Sequence, residues 1–315
     1  MKTPVAFIIF KRPHTTEKVF EAIRQAKPPK LLVIADGPGF GHSDEAHKCE
    51  ATRAIIERVD WNCEVLKNYS STNLGCAKRV SSGLDWVFSN VEEAIVLEDD
   101  CVPHPTFFRF CEELLEKYRY DRRIASISGQ NVQFGRKRTN YSYYYSIYNH
   151  CWGWASWRRA WQHYDLYMKL WPEIKAGDFL YGILEDRCAV KYWSNIFQSV
   201  YENPTGITWD YQWMFSCWVQ RSLGIISNVN LISNIGFGPD STHFARSKKS
   251  SYENLPTQSM EFPLKSPPFL IRNIAADHFT QRTLFREAPL RSLKKTLRKI
   301  FQKILLANRD ECFTY

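Results

Sequence analysis

The sequence lacks most of the signatures that announce a function directly. Neither G-x-G-x-x-G nor G-x-x-x-x-G-K-[ST] occurs, which removes the dinucleotide fingerprint and the P-loop from consideration. Nine cysteines, an odd number, are scattered without a C-x-x-C pair, a pattern of reduced, mostly buried thiols rather than a zinc site or a disulfide framework. No apolar run approaches the length needed to span a bilayer. Met1-Lys2-Thr3-Pro4 leads into a strand pattern without the hydrophobic core of a secretion signal, so a cytoplasmic location is expected.

What the chain does have is an apolar run that ends in acid. Ala94-Ile95-Val96-Leu97 reads as a strand buried on both faces, the kind found in parallel sheets, and Glu98-Asp99-Asp100 closes it. Ligands collect at the carboxyl ends of such strands. Three adjacent carboxylates repel one another and resist desolvation, an arrangement that a hard cation would relieve. The competing reading is a solvated acidic turn.

The same texture runs through the first half. Val5–Phe10, Leu31–Ala35, Val65-Leu66 and Ile124–Ser128 read as further strands. Helices are expected with Val19, Phe20, Ile23 and Ala26 on one face, from about Glu45 to Val59, after Asn73-Leu74-Gly75, and from about Pro105 to Tyr118. Alternation of this kind predicts an α/β fold, a doubly wound and mostly parallel sheet flanked by helices. Beyond Gly129 the chain becomes aromatic and mixed, with helices expected at Arg187–Tyr201 and Asp210–Arg221 and a strand at Ile225–Val229. Residues 1–130 and 131–246 are read as two halves of one domain, residues 247–281 as a polar loop or arm, and residues 282–315 as a basic tail.

Aromatic residues make up 15% of the chain, with 11 Trp and 16 Tyr, which suits either stacking against sugars or an indole-rich core. The net charge of +9 is uneven: nine Lys and Arg against three Asp and Glu from Arg282 to Tyr315 leave +6 there and +3 on the preceding 281 residues. A nearly neutral body argues against nucleic acid as a partner. In the tail, Leu290, Leu293, Leu297, Ile300, Phe301, Ile304 and Leu305 recur at helical spacing among Lys and Arg, as in a helix lying on an anionic membrane surface. A peripheral position on the inner face of the cytoplasmic membrane is therefore expected. Docking of the tail on protein is the alternative.

Phe10-Lys11-Arg12-Pro13, Asp36-Gly37, Asn73-Leu74-Gly75-Cys76, Leu97-Glu98-Asp99-Asp100, Trp152-Gly153-Trp154, Trp209-Asp210 and Thr242-His243 occur in that order. Together they resemble the nucleotide-sugar glycosyltransferases of GT-A fold, in particular bacterial relatives of the N-acetylglucosaminyltransferase I family. The resemblance covers roughly Val5 to Phe244. It implies a metal-dependent, inverting transfer of a sugar from a UDP-sugar to a hydroxyl of a glycan or lipid-linked acceptor. Asp100 would ligate Mn²⁺ or Mg²⁺, with His243 as a second ligand, while Glu98 and Asp99 contact the donor. Arg12 and Asp36 would contact the nucleotide, Arg79 the diphosphate, and Trp152 and Trp154 the donor sugar or acceptor. Asp210 would be the base, with Glu185 and Asp186 in reserve; as a purely structural residue, Asp210 stands where a helix N-cap is wanted.

Two other classes fit part of the sequence. A sugar-nucleotide-forming nucleotidyltransferase would place a Gly-rich loop where this chain has Lys11-Arg12-Pro13. A non-catalytic glycan-binding protein would account for the aromatic residues and leave the acids unexplained.

Overall fold

A computed structural model of the chain describes residues 1–41, 43–206, 208–237 and 252–285. The first half reads β1 (Val5–Ile9), α1 (Pro13–Ala26), β2 (Lys30–Ala35), α2 (Ser43–Ile56), β3 (Glu64–Tyr69), α3 (Cys76–Asn90), β4 (Glu93–Glu98), β5 (Cys101–Pro103), α4 (Thr106–Tyr118) and β6 (Ile124–Ser128). The second half supplies β7 (Tyr143–Ser146), β8 (Trp154–Trp157) and the short helices α5 (Arg158–Trp161), α6 (Trp171–Ala176) and α7 (Tyr181–Leu184). It continues with α8 (Arg187–Glu202), α9 (Asp210–Val219), β9 (Leu223–Ser227), β10 (Ile232–Asn234) and α10 (Ile274–Thr283).

Eight strands form one sheet in the order β3-β2-β1-β4-β8-β6-β9-β7, and β10 pairs with β5 in a separate ladder. The pairings of β3 with β2, β2 with β1, β1 with β4, and β6 with β9 are parallel, so the expected α/β class with a mostly parallel sheet flanked by helices is what the chain adopts. Strands β1, β2 and β4 are apolar on both faces because helices cover both. On one side Val19, Phe20 and Ile23 of α1 pack with Phe107, Phe110 and Leu114 of α4 in the core; on the other, Val80, Leu84 and Val87 of α3 meet Trp154, Trp161 and Trp213.

Strand β8 runs against both β4 and β6, pairing Val96 with Trp154 and Ser128 with Trp154. The chain therefore enters β8 at the same end of the sheet at which it leaves β4. Much of the aromatic surplus is core: Trp154, Trp157, Trp171, Trp193, Trp213 and Trp218 are fully buried.

Residues 274–283, expected within a loop or arm, are helical. Asn273 accepts the Ala276 N–H at 2.9 Å as an N-cap, and Asp277, buried, accepts the Ser146 hydroxyl at 2.6 Å, which fixes α10 against β7. This helix docks through polar contacts that leave a weak apolar stripe. His243 and the amphipathic stretch from Leu290 to Ile304 lie outside the described residues. Among those described, no helix is long and apolar enough to cross a membrane, and no cysteine is disulfide-bonded.

Candidate active site

The parallel register of β1 and β4 aligns Ile8 with Glu98, so the residues that follow each strand emerge side by side. Pro13 opens α1 at its first turn, and Arg12 stands just before it with a non-helical backbone. From there the guanidinium reaches across to the acidic strand end. Its Nη1 donates to Asp100 Oδ2 at 2.8 Å and its Nη2 to Asp99 Oδ1. The Phe10 N–H donates to Asp99 Oδ2 at 3.2 Å, and the Cys101 thiol to Asp100 Oδ1 at 3.3 Å. Gly236 closes over this group. A Cβ there would lie 2.0 Å from Asp100 Oδ2 and 2.8 Å from Arg12 Nη1, so the approach requires a residue without one.

Burial dominates the electrostatics. It pushes Glu98 up to about 8, reinforced by the charges of Asp100 and Asp99. It pushes Asp99 up to about 6 against the pull of Arg12. For Arg12, burial alone would lower the pKa, but attraction to Asp99 and Asp100 outweighs it and the guanidinium stays charged.

These contacts decide the fit of the divalent ion that the resemblance implies. Mn²⁺ and Mg²⁺ need several oxygen ligands around one point. Here all four oxygens of Asp99 and Asp100 are directed to a guanidinium, an amide and a thiol. Among the described residues, no group of three or more His, Cys, Asp or Glu is disposed to hold a metal ion. The described side chains, as arranged, do not fit one. The repulsion between Asp99 and Asp100 is relieved by Arg12.

A cavity of about 450 Å³ opens at this point, lined by Arg12, Asp36, Arg79, Glu98, Asp99, Asp100 and Trp152. Asp36, at the end of β2, is a bracket for its neighbours. Its Oδ1 accepts the N–H groups of Gly37 and Leu74 at 2.9 Å each, and its Oδ2 that of Gly75 at 3.1 Å. Asn73 Nδ2 returns a bond to the Gly37 carbonyl at 3.1 Å. The Asp36-Gly37 and Asn73-Leu74-Gly75 motifs thus hold each other at the rim. Arg79, on α3, gives Nη2 to the Asn68 carbonyl and side chain at 2.6 and 2.7 Å, while its buried Nε has no partner among the described residues. Lys11 and Glu45, which sequence reasoning did not single out, pair with each other and complete the rim. Adjacency to Arg12 was the available signal for Lys11; Glu45 lies on the next helix and carried none.

A second cavity, of about 480 Å³, adjoins the first and shares Cys76, Glu98 and Trp152 with it. Asp210 lines its far side at the first position of α9. Oδ1 accepts the Tyr211 N–H at 3.1 Å and the Thr208 hydroxyl, and Oδ2 accepts from no described group. Burial pushes this carboxyl up to about 6.

Three sequence-based candidates stand elsewhere. Trp154 is 1% exposed, packed against Trp161, Trp209 and Trp213, and lines neither cavity, because residues two apart at a strand start can part company between loop and core. Asp186 caps α8 by accepting the Cys188 and Ala189 N–H groups at 2.7 and 3.1 Å, and exposed Glu185 pairs with Arg272 at 3.1 Å. Neither lines the cavities.

No protein-family model matches this chain, and no curated protein matches it. Among solved structures it is similar to a UDP-glucose pyrophosphorylase complexed with UDP-glucose, at 14% identity over 48% of this chain and 64% of that one, with a TM-score of 0.28. It is similar to mouse xyloside xylosyltransferase 1 at 11% identity over 69% of this chain and 81% of that one, with a TM-score of 0.32. A 4-diphosphocytidyl-2C-methyl-D-erythritol synthase from Anaerococcus prevotii follows at 12% identity over 53% of this chain and 76% of that one, with a TM-score of 0.34. The chain thus spans less than two thirds of the pyrophosphorylase, and likenesses this distant assign neither family nor activity.

Proposed function

We propose that this chain is a GT-A type glycosyltransferase that moves a sugar, with inversion, from a nucleoside diphosphate such as UDP to a hydroxyl of a glycan or lipid-linked acceptor. The observation that carries the reading is the pair of joined cavities, one bearing cations and the other a carboxylate with a free oxygen. In the first, Arg12 is held in place by Asp99 and Asp100, and its Nε–H and the second hydrogens of Nη1 and Nη2 have no acceptor among the described residues. In the second, Asp210 Oδ2 accepts from no described group.

The reaction then follows from charge and proton bookkeeping. The acceptor hydroxyl gives its proton to Asp210 as its oxygen attacks the anomeric carbon from the second cavity. The bond from that carbon to the diphosphate oxygen breaks on the opposite side, and negative charge grows on the departing diphosphate. Arg12, with Arg79 and Lys11 on the same cavity wall, faces that charge. Glu98 and Trp152 stand at the junction where the two reacting atoms meet. A nucleotidyltransferase is disfavoured, since Lys11-Arg12-Pro13 passes straight from β1 into α1 without a glycine loop. The basic tail is proposed to hold the enzyme at an anionic membrane surface, tested by liposome sedimentation of the full chain against a chain ending at Leu284.

The test of the whole reading is incubation with labelled UDP-sugars and candidate acceptors, with and without EDTA, alongside calorimetry with UDP. Binding of UDP and transfer that survives chelation are expected. Absence of both UDP binding and donor turnover would remove the proposal. Loss of transfer on chelation alone would return the metal to Asp100 and overturn the role given to Arg12.

A further inference from the structure

The two cavities differ in the sign of their walls. The first carries Lys11, Arg12 and Arg79 beside its acids. Among the described residues that line the second there is no Lys, Arg or His, yet Asp210 and Glu98 both face it. The rest of its wall is amphipathic: Tyr211 and Trp152 offer aromatic faces, and Ser199 and Asn203 at the end of α8 offer a hydroxyl and an amide. Aromatic faces and short polar groups suit the mixed surface of a sugar ring. An anionic substituent would meet the charge of Asp210 with no counter-charge among the described lining residues.

Resting on the glycosyltransferase reading above, we infer that the second cavity selects an uncharged sugar as acceptor and rejects acceptor rings that carry a carboxylate or phosphate. Discrimination arises by exclusion: a neutral ring loses nothing beside Asp210, whereas a uronic acid of the same shape must bring a second negative charge to it.

The experiment pairs methyl glycosides of neutral hexoses with the corresponding methyl hexuronides, using the intact enzyme and whichever UDP-sugar it turns over. The expected result is a kcat/KM lower for every hexuronide by roughly a hundredfold than for its neutral partner, falling as ionic strength decreases. Ser199→Lys, at an exposed position of the cavity wall, is expected to raise the use of hexuronides by roughly tenfold, with the neutral glycosides changing less. Equal use of both acceptor classes by the unaltered enzyme would overturn the inference while leaving the glycosyltransferase reading intact, as would Ser199→Lys lowering the use of hexuronides. UDP binding without transfer to any neutral glycoside would also overturn it. Failure to bind UDP or consume any donor would instead remove the underlying reading.

Discussion

Replacing Arg12 by Gln tests the centre of the site, because the guanidinium is the group that makes two adjacent carboxylates tolerable there. Its side chain is 18% exposed, and those of Asp99 and Asp100 are 4% and 12% exposed, so the pair is largely removed from water. Deleting one partner of a buried ion pair leaves an uncompensated charge and costs about 3–5 kcal/mol. The loss has a definite pH dependence. Asp99 already sits up near 6 with Arg12 present, and Arg12 is one of the influences holding it down, so Arg12→Gln raises it further. A carboxyl whose folded pKa exceeds its unfolded value binds protons more tightly in the native state, so stability falls as pH rises between the two values. Each pH unit below the raised pKa recovers about 1.4 kcal/mol. Urea unfolding followed by tryptophan fluorescence is therefore expected to show a larger cost at pH 8 than at pH 5.5. Millimolar Mn²⁺ is expected to stabilise Arg12→Gln, by filling the gap between Asp99 and Asp100, and to leave the parent protein unchanged. A cost below about 1 kcal/mol, or one identical at both pH values, would refute the reasoning.

Three further outcomes follow from other parts of the site. Asp210→Asn is expected to lower kcat by about 10²–10⁴ with UDP affinity unchanged by calorimetry; in the parent enzyme kcat/KM rises with pH to a plateau, half-maximal near 6, because the raised carboxyl must lose its proton to act. Gly236→Ala places a methyl group on Asp100 and should cost about 1–3 kcal/mol in thermal unfolding, with weaker UDP binding as the segment lifts from Arg12. Asp36→Asn exchanges a carboxylate that accepts three N–H bonds for a weaker amide. A loss of about 1–3 kcal/mol is expected, and hydrogen exchange should quicken at Leu74 and Gly75 first.

The first half of the fold was legible because residues 5–9, 31–35 and 94–97 are buried on both faces and say so in uninterrupted apolar letters. The second half was less so. Tyr143–Ser146 and Trp154–Trp157 are strands with no alternation, since both faces of each are covered, and a run of aromatic residues has no period to read. Helix α10 was hidden for the opposite reason, docking through Asn273, Asp277 and Thr280. At the site, Arg12, Asp36, Glu98, Asp99 and Asp100 were visible as motif residues at strand ends, which the parallel sheet gathers, Trp152 as a motif residue just ahead of a strand, and Arg79 as a cation on the helix after Asn73-Leu74-Gly75. Their pairing was not visible. That Arg12 would satisfy the acids of β4 depends on β1 and β4 being neighbours, a fact of strand order written nowhere near either motif.

The reversed strand β8 has a consequence for how such a site can vary. β1, β2 and β4 deliver their residues to the cleft as they depart the sheet. β8 delivers Trp152 on arrival, immediately before its ladder begins at Trp154. Its alignment is thus set from behind, by bonds to Val96 and Ser128, and a slip of one residue would swing an indole out of the core and pull Trp152 from the border between the two chambers. Rim loops can lengthen or shorten and retune what each chamber admits, while the wall between them is anchored to the middle of the sheet.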